Sequence, residues 1–286
     1  MKNIPNKLAS MLCHAGVWAG AWVATAAHAV NDLPGGPAVN QLNLPEPATK
    51  IAAEQNSLHW MMLIICSVVF VLVFSVMFYS IWKHRKSVGH KAANFHESVT
   101  VEIVWTIVPF LIVIGMALPA TKVVVAMKDT TNADLTIKAT GSQWLWTYTY
   151  VDNGGFEGIS NMLKEASDVK GDERARTDAD GPKQLAADYR MVVPAGEPIR
   201  MEVTAADVIH SFAVPSLWFK IDGVPGRINE KVLFIKEPGV YFGQCSELCG
   251  VRHGYMPIVI EALPRDKFNA WVLTQTDGKI DGLPEG

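Results

Sequence analysis

Gly243-Gln244-Cys245-Ser246-Glu247-Leu248-Cys249-Gly250-Val251-Arg252-His253-Gly254-Tyr255-Met256 joins two short strand-like runs, 239–242 and 257–261. It packs two thiols, an imidazole and a thioether into twelve residues. Soft sulfur donors with imidazole favour copper over magnesium, calcium or manganese. A second imidazole, His210, lies upstream in Asp207-Val208-Ile209-His210-Ser211-Phe212. One Cys, two His and a weak axial Met are enough for a mononuclear blue-copper site. This chain carries that set and one Cys more. Two thiolates can bridge two metals, so the ligand count points to a dinuclear copper centre of the electron-transfer kind. His210 and His253 would each terminate one copper, and Met256 would be a weak axial ligand. Each residue also has a plainer reading. Met256 alone is core filler, His210 alone a hydrogen-bonded core residue, and two thiols in an oxidising compartment form a disulfide by default.

Outward from this loop the pattern is that of strands. Residues 134–140 and 143–150 alternate, the latter placing Trp144, Trp146, Tyr148 and Tyr150 on one face. Further short runs at 191–193, 199–203 and 231–235 are separated by Pro and Gly turns, which suggests a β-sandwich or barrel. Residues 267–274 read as a short terminal helix. Residues 151–188, rich in Asp, Gly and Lys, read as a polar surface insertion, partly helical near 160–166.

The N-terminal half is organised by membrane-length apolar runs. Residues 60–82 are continuously apolar, and about 20 such residues cross a hydrocarbon core. Residues 103–127 form a second run, interrupted by Pro109 and Pro119, which a packed membrane helix tolerates. The connecting loop carries Lys83, Arg85, Lys86 and Lys91, so the positive-inside rule puts it in the cytoplasm and both termini outside. Residues 1–29 read as a signal peptide: Lys2 and Lys7, an apolar stretch over 8–27, then the small-x-small site Ala27-His28-Ala29. A third membrane helix is the competing reading of that stretch. Residues 30–55 then form an extended exported segment, 56–127 a helical hairpin in the membrane, and 128–286 an outer domain. From Lys128 onward 17 Lys or Arg stand against 23 Asp or Glu, a formal charge of −6. That balance argues against nucleic-acid partners.

The run Cys-Ser-Glu-Leu-Cys-Gly-x-x-His-x-x-Met-Pro, preceded by Val-Ile-His-Ser-Phe and Val-Pro-Gly-Arg, resembles subunit II of haem–copper cytochrome c oxidase, over about 51–271. The resemblance implies a cupredoxin-like Greek-key barrel behind a transmembrane hairpin, in a bacterial inner membrane with the copper domain periplasmic. It implies an electron-accepting role, with cytochrome c as donor and the haem–copper subunit I as recipient, where oxygen is reduced and protons are pumped. Subunit III is a further implied partner. Two copper ions are implied at His210, Cys245, Cys249, His253, Met256 and the Glu247 carbonyl. The Glu247 side chain would reach a magnesium or manganese ion shared with subunit I. Gly141-Ser142-Gln143-Trp144-Leu145-Trp146 resembles the aromatic segment whose first Trp admits electrons, a role that falls on Trp144. Asp188 and Asp207 match acidic docking positions. Ser142 and Thr149 depart from the pattern, standing where many members have His and an acidic docking residue. Glu102, at the cytoplasmic start of the second span, matches a Glu at the mouth of a proton path.

Other classes leave different marks. Quinol-oxidising relatives share the anchor but lack the copper ligands. A thioredoxin-like copper chaperone would have one span, alternating α/β elements and its His downstream of the cysteines. A structural membrane protein would carry Cys245 and Cys249 as a disulfide.

Overall fold

The computed structural model describes residues 35–38, 41–91, 94, 96–129, 131, 133 and 135–280. The signal-peptide reading of 1–29 lies outside the described residues. Two long helices, α1 (Lys50–Lys83) and α2 (Val99–Met127), precede ten strands: β1 (Leu135–Ser142), β2 (Leu145–Tyr150), β3 (Glu157–Ser160), β4 (Met191–Pro194), β5 (Pro198–Ala205), β6 (His210–Val214), β7 (Phe219–Gly223), β8 (Asn229–Phe234), β9 (Gly239–Cys245) and β10 (Pro257–Leu263). A short helix, α3 (Arg265–Val272), follows.

Both long helices are apolar around their whole circumference and exposed along most of their length. In water such a surface is untenable, so hydrocarbon must cover it. At about 1.5 Å per residue, α1 is roughly 50 Å long, well beyond the roughly 30 Å apolar slab. Its first turns therefore stand clear of the apolar stretch and join the β domain. Thr49 caps them by accepting from Ala52 N at 2.9 Å, and Ala52 is fully buried. Gln55 Nε2 donates to Met127 Sδ at 3.2 Å and to the Trp218 carbonyl at 3.5 Å, tying both helices to the sandwich. The extended segment read over 30–55 is thus shorter than expected, because 50–55 are helical. The segment before it lies along the sandwich: Phe242 N donates to Gly35 O, Ala48 N to Ser216 O and Trp218 Nε1 to Pro45 O.

The strands form two five-stranded sheets, ordered β3-β2-β1-β5-β8 and β4-β10-β9-β6-β7. Each contains one parallel pairing, β1 with β5 and β10 with β4, because the chain crosses between sheets before returning beside an earlier strand. This is a mixed, cupredoxin-like Greek-key sandwich. Period-two alternation drives it. Leu135, Ile137 and Ala139 of β1 face inward, as do Trp146, Tyr148 and Tyr150 of β2 and Ile199, Met201 and Val203 of β5. They meet Phe212, Val214, Ile258 and Ile260 from the facing sheet.

Three local readings change. Alternation over 143–150 does not hold at its start. Gln143 and Trp144 form the turn of the β1–β2 hairpin, so Trp144 leaves the buried face that Trp146, Tyr148 and Tyr150 share. The stretch 160–166 is not helical. Glu157–Ser160 instead pairs with β2 as an edge strand, and Met162 and Lys164 make single bridges to Ala187 and Ala175. The insertion is held by ion pairs, Lys164 to Glu173, Arg174 to Asp180 and Arg176 to Glu165, over a small apolar floor that includes Leu163 and Ala187. The terminal helix starts and ends two residues earlier than 267–274, and buries Phe268 and Val272.

Candidate metal centre

The donors come from two places on one sheet. His210 opens β6, Cys245 ends β9, and the loop from Ser246 to Met256 carries the rest. Strands β6 and β9 are antiparallel neighbours with Phe212 opposite Cys245, so sheet register alone brings His210 and Cys245 together across 35 residues. The loop is pinned at its start, where Ser246 N donates to Ser211 O at 3.0 Å. It then folds back: Gly250 adopts φ +123°, and His253 N donates to Gly250 O at 3.1 Å. A non-glycine residue at Gly250 would be strained in that region.

The result is a compact donor cluster. Cys245 Sγ lies 3.9 Å from His210 Nδ1 and 3.9 Å from Cys249 Sγ. Cys249 Sγ lies 3.5 Å from His253 Nδ1 and 3.6 Å from Met256 Sδ. The Cys245 thiol also approaches the Glu247 carbonyl, at 3.3 Å. Metal–nitrogen and metal–sulfur bonds of roughly 2.0–2.3 Å put donors on one ion at about these separations. Each sulfur has its own imidazole. Cys245, Cys249 and Met256 are buried, and His210 is fully so. Burial and the neighbouring Cys245 thiol push Cys249 up to about 12, so a metal binding there must displace a tightly held proton. The thiols are free. Soft donors, closely spaced and shielded from water, suit copper.

The orientation of His210 is set by a neighbour. Its Nε2 lies 2.9 Å from Asp207 Oδ1. An ionised carboxylate only accepts, so Nε2 carries the proton and Nδ1 offers its lone pair to the cluster. Burial raises the Asp207 carboxyl, but hydrogen bonds from His210, Gln143 N and Val208 N outweigh it and hold the group below the usual carboxylate range. Gly141 makes room for the ring: a Cβ there would sit 2.8–2.9 Å from three His210 side-chain carbons.

The hairpin turn is wired into the same network. Gln143 N donates to Asp207 Oδ2 at 2.7 Å, and Gln143 Nε2 donates to the Cys249 carbonyl at 2.7 Å. One residue thereby links the His210 side of the site to the ligand loop. The half-buried Trp144 follows it, packed on the core, and its ring meets the Gly250 position. Asp188, which accepts from Asn161 N at 2.7 Å, borders the same cleft as Trp144. Glu102 lies apart, in the first turn of α2, at the opposite end of that helix from the β domain. Glu247 is exposed on the rim of the loop. Sequence reasoning missed Gln143 and Gly141, and it gave Asp207 a docking role without its bond to His210. The Asp-x-x-His spacing of Asp207 and His210 was the available signal.

Two apolar helices carrying a β-sandwich with a sulfur–imidazole pocket define the class: a two-span membrane protein with a cupredoxin-like domain whose buried donors suit copper. The periplasmic-domain model of cytochrome c oxidase subunit II matches residues 135–263, and the transmembrane-domain model of the same subunit matches 37–123. A probable cytochrome c oxidase subunit 2 of Rickettsia bellii is 37% identical over 242 residues, covering 85% of this chain and 87% of the relative. Cytochrome c oxidase subunit 2 of Metridium senile is 39% identical over 241 residues, covering 83% and 91%. Among solved structures, the periplasmic domain of subunit II of cytochrome oxidase from Bradyrhizobium japonicum is 46% identical, covering 51% of this chain and 95% of that one, at a TM-score of 0.44. The chain belongs to the cytochrome c oxidase subunit II family.

Proposed function

We propose that the chain holds two copper ions and serves as the electron-accepting subunit of a respiratory oxidase, taking electrons from cytochrome c and delivering them to the haem–copper subunit I. The observation that carries this is the pairing of donors: two buried sulfurs 3.9 Å apart, with His210 against one and His253 against the other. Cys245, Cys249, His210, His253, Met256 and the Glu247 carbonyl are the residues that would hold the ions, His210 on the Cys245 side and His253 on the Cys249 side. A copper pair held by these thiolates would supply one-electron transfer. The protein's part is to hold the donors in place, exclude water and fix the His210 tautomer through Asp207.

Trp144 is the proposed point of electron entry, since its turn is bonded to the ligand loop through Gln143 and the Cys249 carbonyl. Asp188 and Asp207 are proposed to help dock the donor. The exposed Glu247 carboxylate would reach a magnesium or manganese ion at the contact with subunit I, and Glu102 would stand at the mouth of a proton path. Subunit III completes the proposed assembly. The basic loop Lys83, Arg85, Lys86 and Lys91 supports a cytoplasmic side for the hairpin turn, which puts the copper domain in the periplasm of a bacterial inner membrane. Residues 1–29 are the proposed signal peptide, 30–49 the exported segment, and 151–188 a polar insertion of the periplasmic domain.

The test is copper content with electron paramagnetic resonance on the full-length chain in detergent. Two coppers per chain, with hyperfine splitting from one electron shared between them, are expected. One localised copper, or none with Cys245 and Cys249 oxidised to a disulfide, overturns the reading.

A further inference from the structure

A cavity of about 330 Å³ opens where the two membrane helices meet the sandwich, far from the donor cluster. That volume falls in the range of small-ligand clefts, about 300–1,000 Å³. Leu217, Trp218, Phe219 and Leu233 give it an apolar wall, and its charged lining is Lys50, Lys231 and Asp129. Lys50 opens α1, Asp129 follows α2 and Lys231 lies on β8, so these charges converge only in the folded chain.

Two cations thus face one carboxylate. Asp129 turns to its own chain, accepting from Thr131 N at 3.2 Å and Thr131 Oγ1 at 2.6 Å. Neither lysine makes an ion pair among the described residues. Lys231 is the more constrained. Its Nζ stands 5.1 Å from the centroid of the Phe219 ring and donates to Lys220 O at 3.3 Å. Burial alone pulls its ammonium below the ordinary lysine value. Glu54 and Glu230 are near these lysines along the chain, but neither lines the cavity. One net positive charge is left over, and a half-buried cation without a counterion is costly.

Depth identifies what can reach it. The bond from Gln55 to Met127 aligns the two antiparallel helices, so Trp60 and Lys122, each five residues further into the membrane, stand at one level. An exposed Trp beside an exposed Lys marks the edge of the hydrocarbon. Ala126, in the cavity wall, lies about 6 Å further out by helix rise. The headgroup layer occupies about 5–8 Å on each side of the hydrocarbon. The cavity therefore opens at the depth of the lipid phosphates.

We propose that this cavity binds the headgroup of an anionic phospholipid from the leaflet on the sandwich side. Its phosphate sits between Lys50 and Lys231, and its glycerol portion packs against Trp218 and Phe219. The single net charge of the lining matches a singly charged headgroup such as phosphatidylglycerol. A zwitterionic headgroup brings an ammonium for which the lining has no carboxylate to spare. Because the walls come from α1, α2 and the sandwich, a bound lipid fastens the outer domain to its anchor. The site stands on the two-span anchor and is independent of the copper centre.

The test places the full-length chain in phosphatidylcholine nanodiscs carrying a minor fraction of phosphatidylglycerol, and native mass spectrometry counts the lipids that stay bound on release. The wild type should retain one phosphatidylglycerol in preference to phosphatidylcholine. K231Q should lower that retention about tenfold, as loss of a charged hydrogen bond does, and the exposed K50Q about fivefold, while K231R keeps most of it. D129N should raise it. K236Q, outside the cavity, is the control and should change nothing. Should K231Q unfold, K50Q and D129N, both at exposed positions, carry the test. Equal retention of the two lipids by the wild type, or wild-type retention in K231Q and K50Q alike, overturns the proposal. In the assembled complex, a photo-crosslinker in place of Val232, which lines the cavity, should capture phospholipid. Capture of a protein subunit alone would make the cavity a subunit contact and the proposal wrong.

Discussion

Asp207 Oδ1 holds His210 Nε2 at 2.9 Å and thereby turns Nδ1 towards Cys245 Sγ, 3.9 Å away. A metal-ligating imidazole with such a carboxylate partner has its tautomer and ring angle chosen before metal arrives. Asp207→Ala should weaken copper retention by about 10–100-fold in a chelator competition. The thermal midpoint of the metal-free protein should move much less. Equal losses in both would mean that the carboxylate serves the fold alone.

Gly141 lies beneath the same ring. Gly141→Ala would put a methyl 2.8–2.9 Å from His210 side-chain carbons, and overpacking of that kind costs about 1–3 kcal/mol. The expected result is a lower denaturation midpoint together with weaker copper binding. Gly254→Ala is the matched control, because a Cβ there meets nothing within 4 Å. A Gly141→Ala protein that binds copper normally would show that the ring has room to move.

Tyr150 is fully buried, and its hydroxyl both donates to Val192 O and accepts from Val192 N, each at 2.8 Å. Tyr150→Phe leaves both backbone groups unsatisfied between the sheets, which costs about 1–3 kcal/mol. Urea unfolding should show a lower midpoint with an unchanged slope. No change in midpoint would mean that the Val192 groups find other partners.

The insertion should loosen in acid. Hydrogen bonds from Arg174 and Thr177 hold the Asp180 carboxyl well below the usual carboxylate range. A depressed carboxylate stabilises the fold above its unfolded value of about 3.9, and that contribution is lost as pH falls below it towards the folded value. Hydrogen exchange over 174–181 should therefore speed up, relative to its intrinsic rate, as pH drops from about 5 to 3. Asp180→Asn should raise protection-corrected exchange already at neutral pH and flatten its pH dependence. A wild-type segment with constant protection across that window would exclude the mechanism.

Much of the site was legible because its chemistry is local. Cys245, Cys249, His253 and Met256 share one loop, and the two apolar runs announce their setting by length and composition alone. The alternation of β1 and β5 likewise marks their buried faces, since one side of each strand must leave water. Strand β6 was harder to see: all five of its residues are buried, so no alternation marks it. Strand β3 is only four residues long and opens a polar stretch, which hid it as well.

What the sequence by itself determined is the donor set, the two-span anchor and the β character of the outer domain, because ligand type, apolar length and side-chain period are properties of neighbouring residues. What only the tertiary structure decided is how distant segments meet. The β6–β9 register carries His210 to Cys245 across 35 residues. The hairpin turn takes Trp144 out of its strand and joins Gln143 to both sides of the cluster. Asp207, read from the sequence as a docking acid, becomes the partner of a ligand for the same reason. Such contacts depend on strand pairing and sheet packing, which bring together residues whose order along the chain does not specify that they touch.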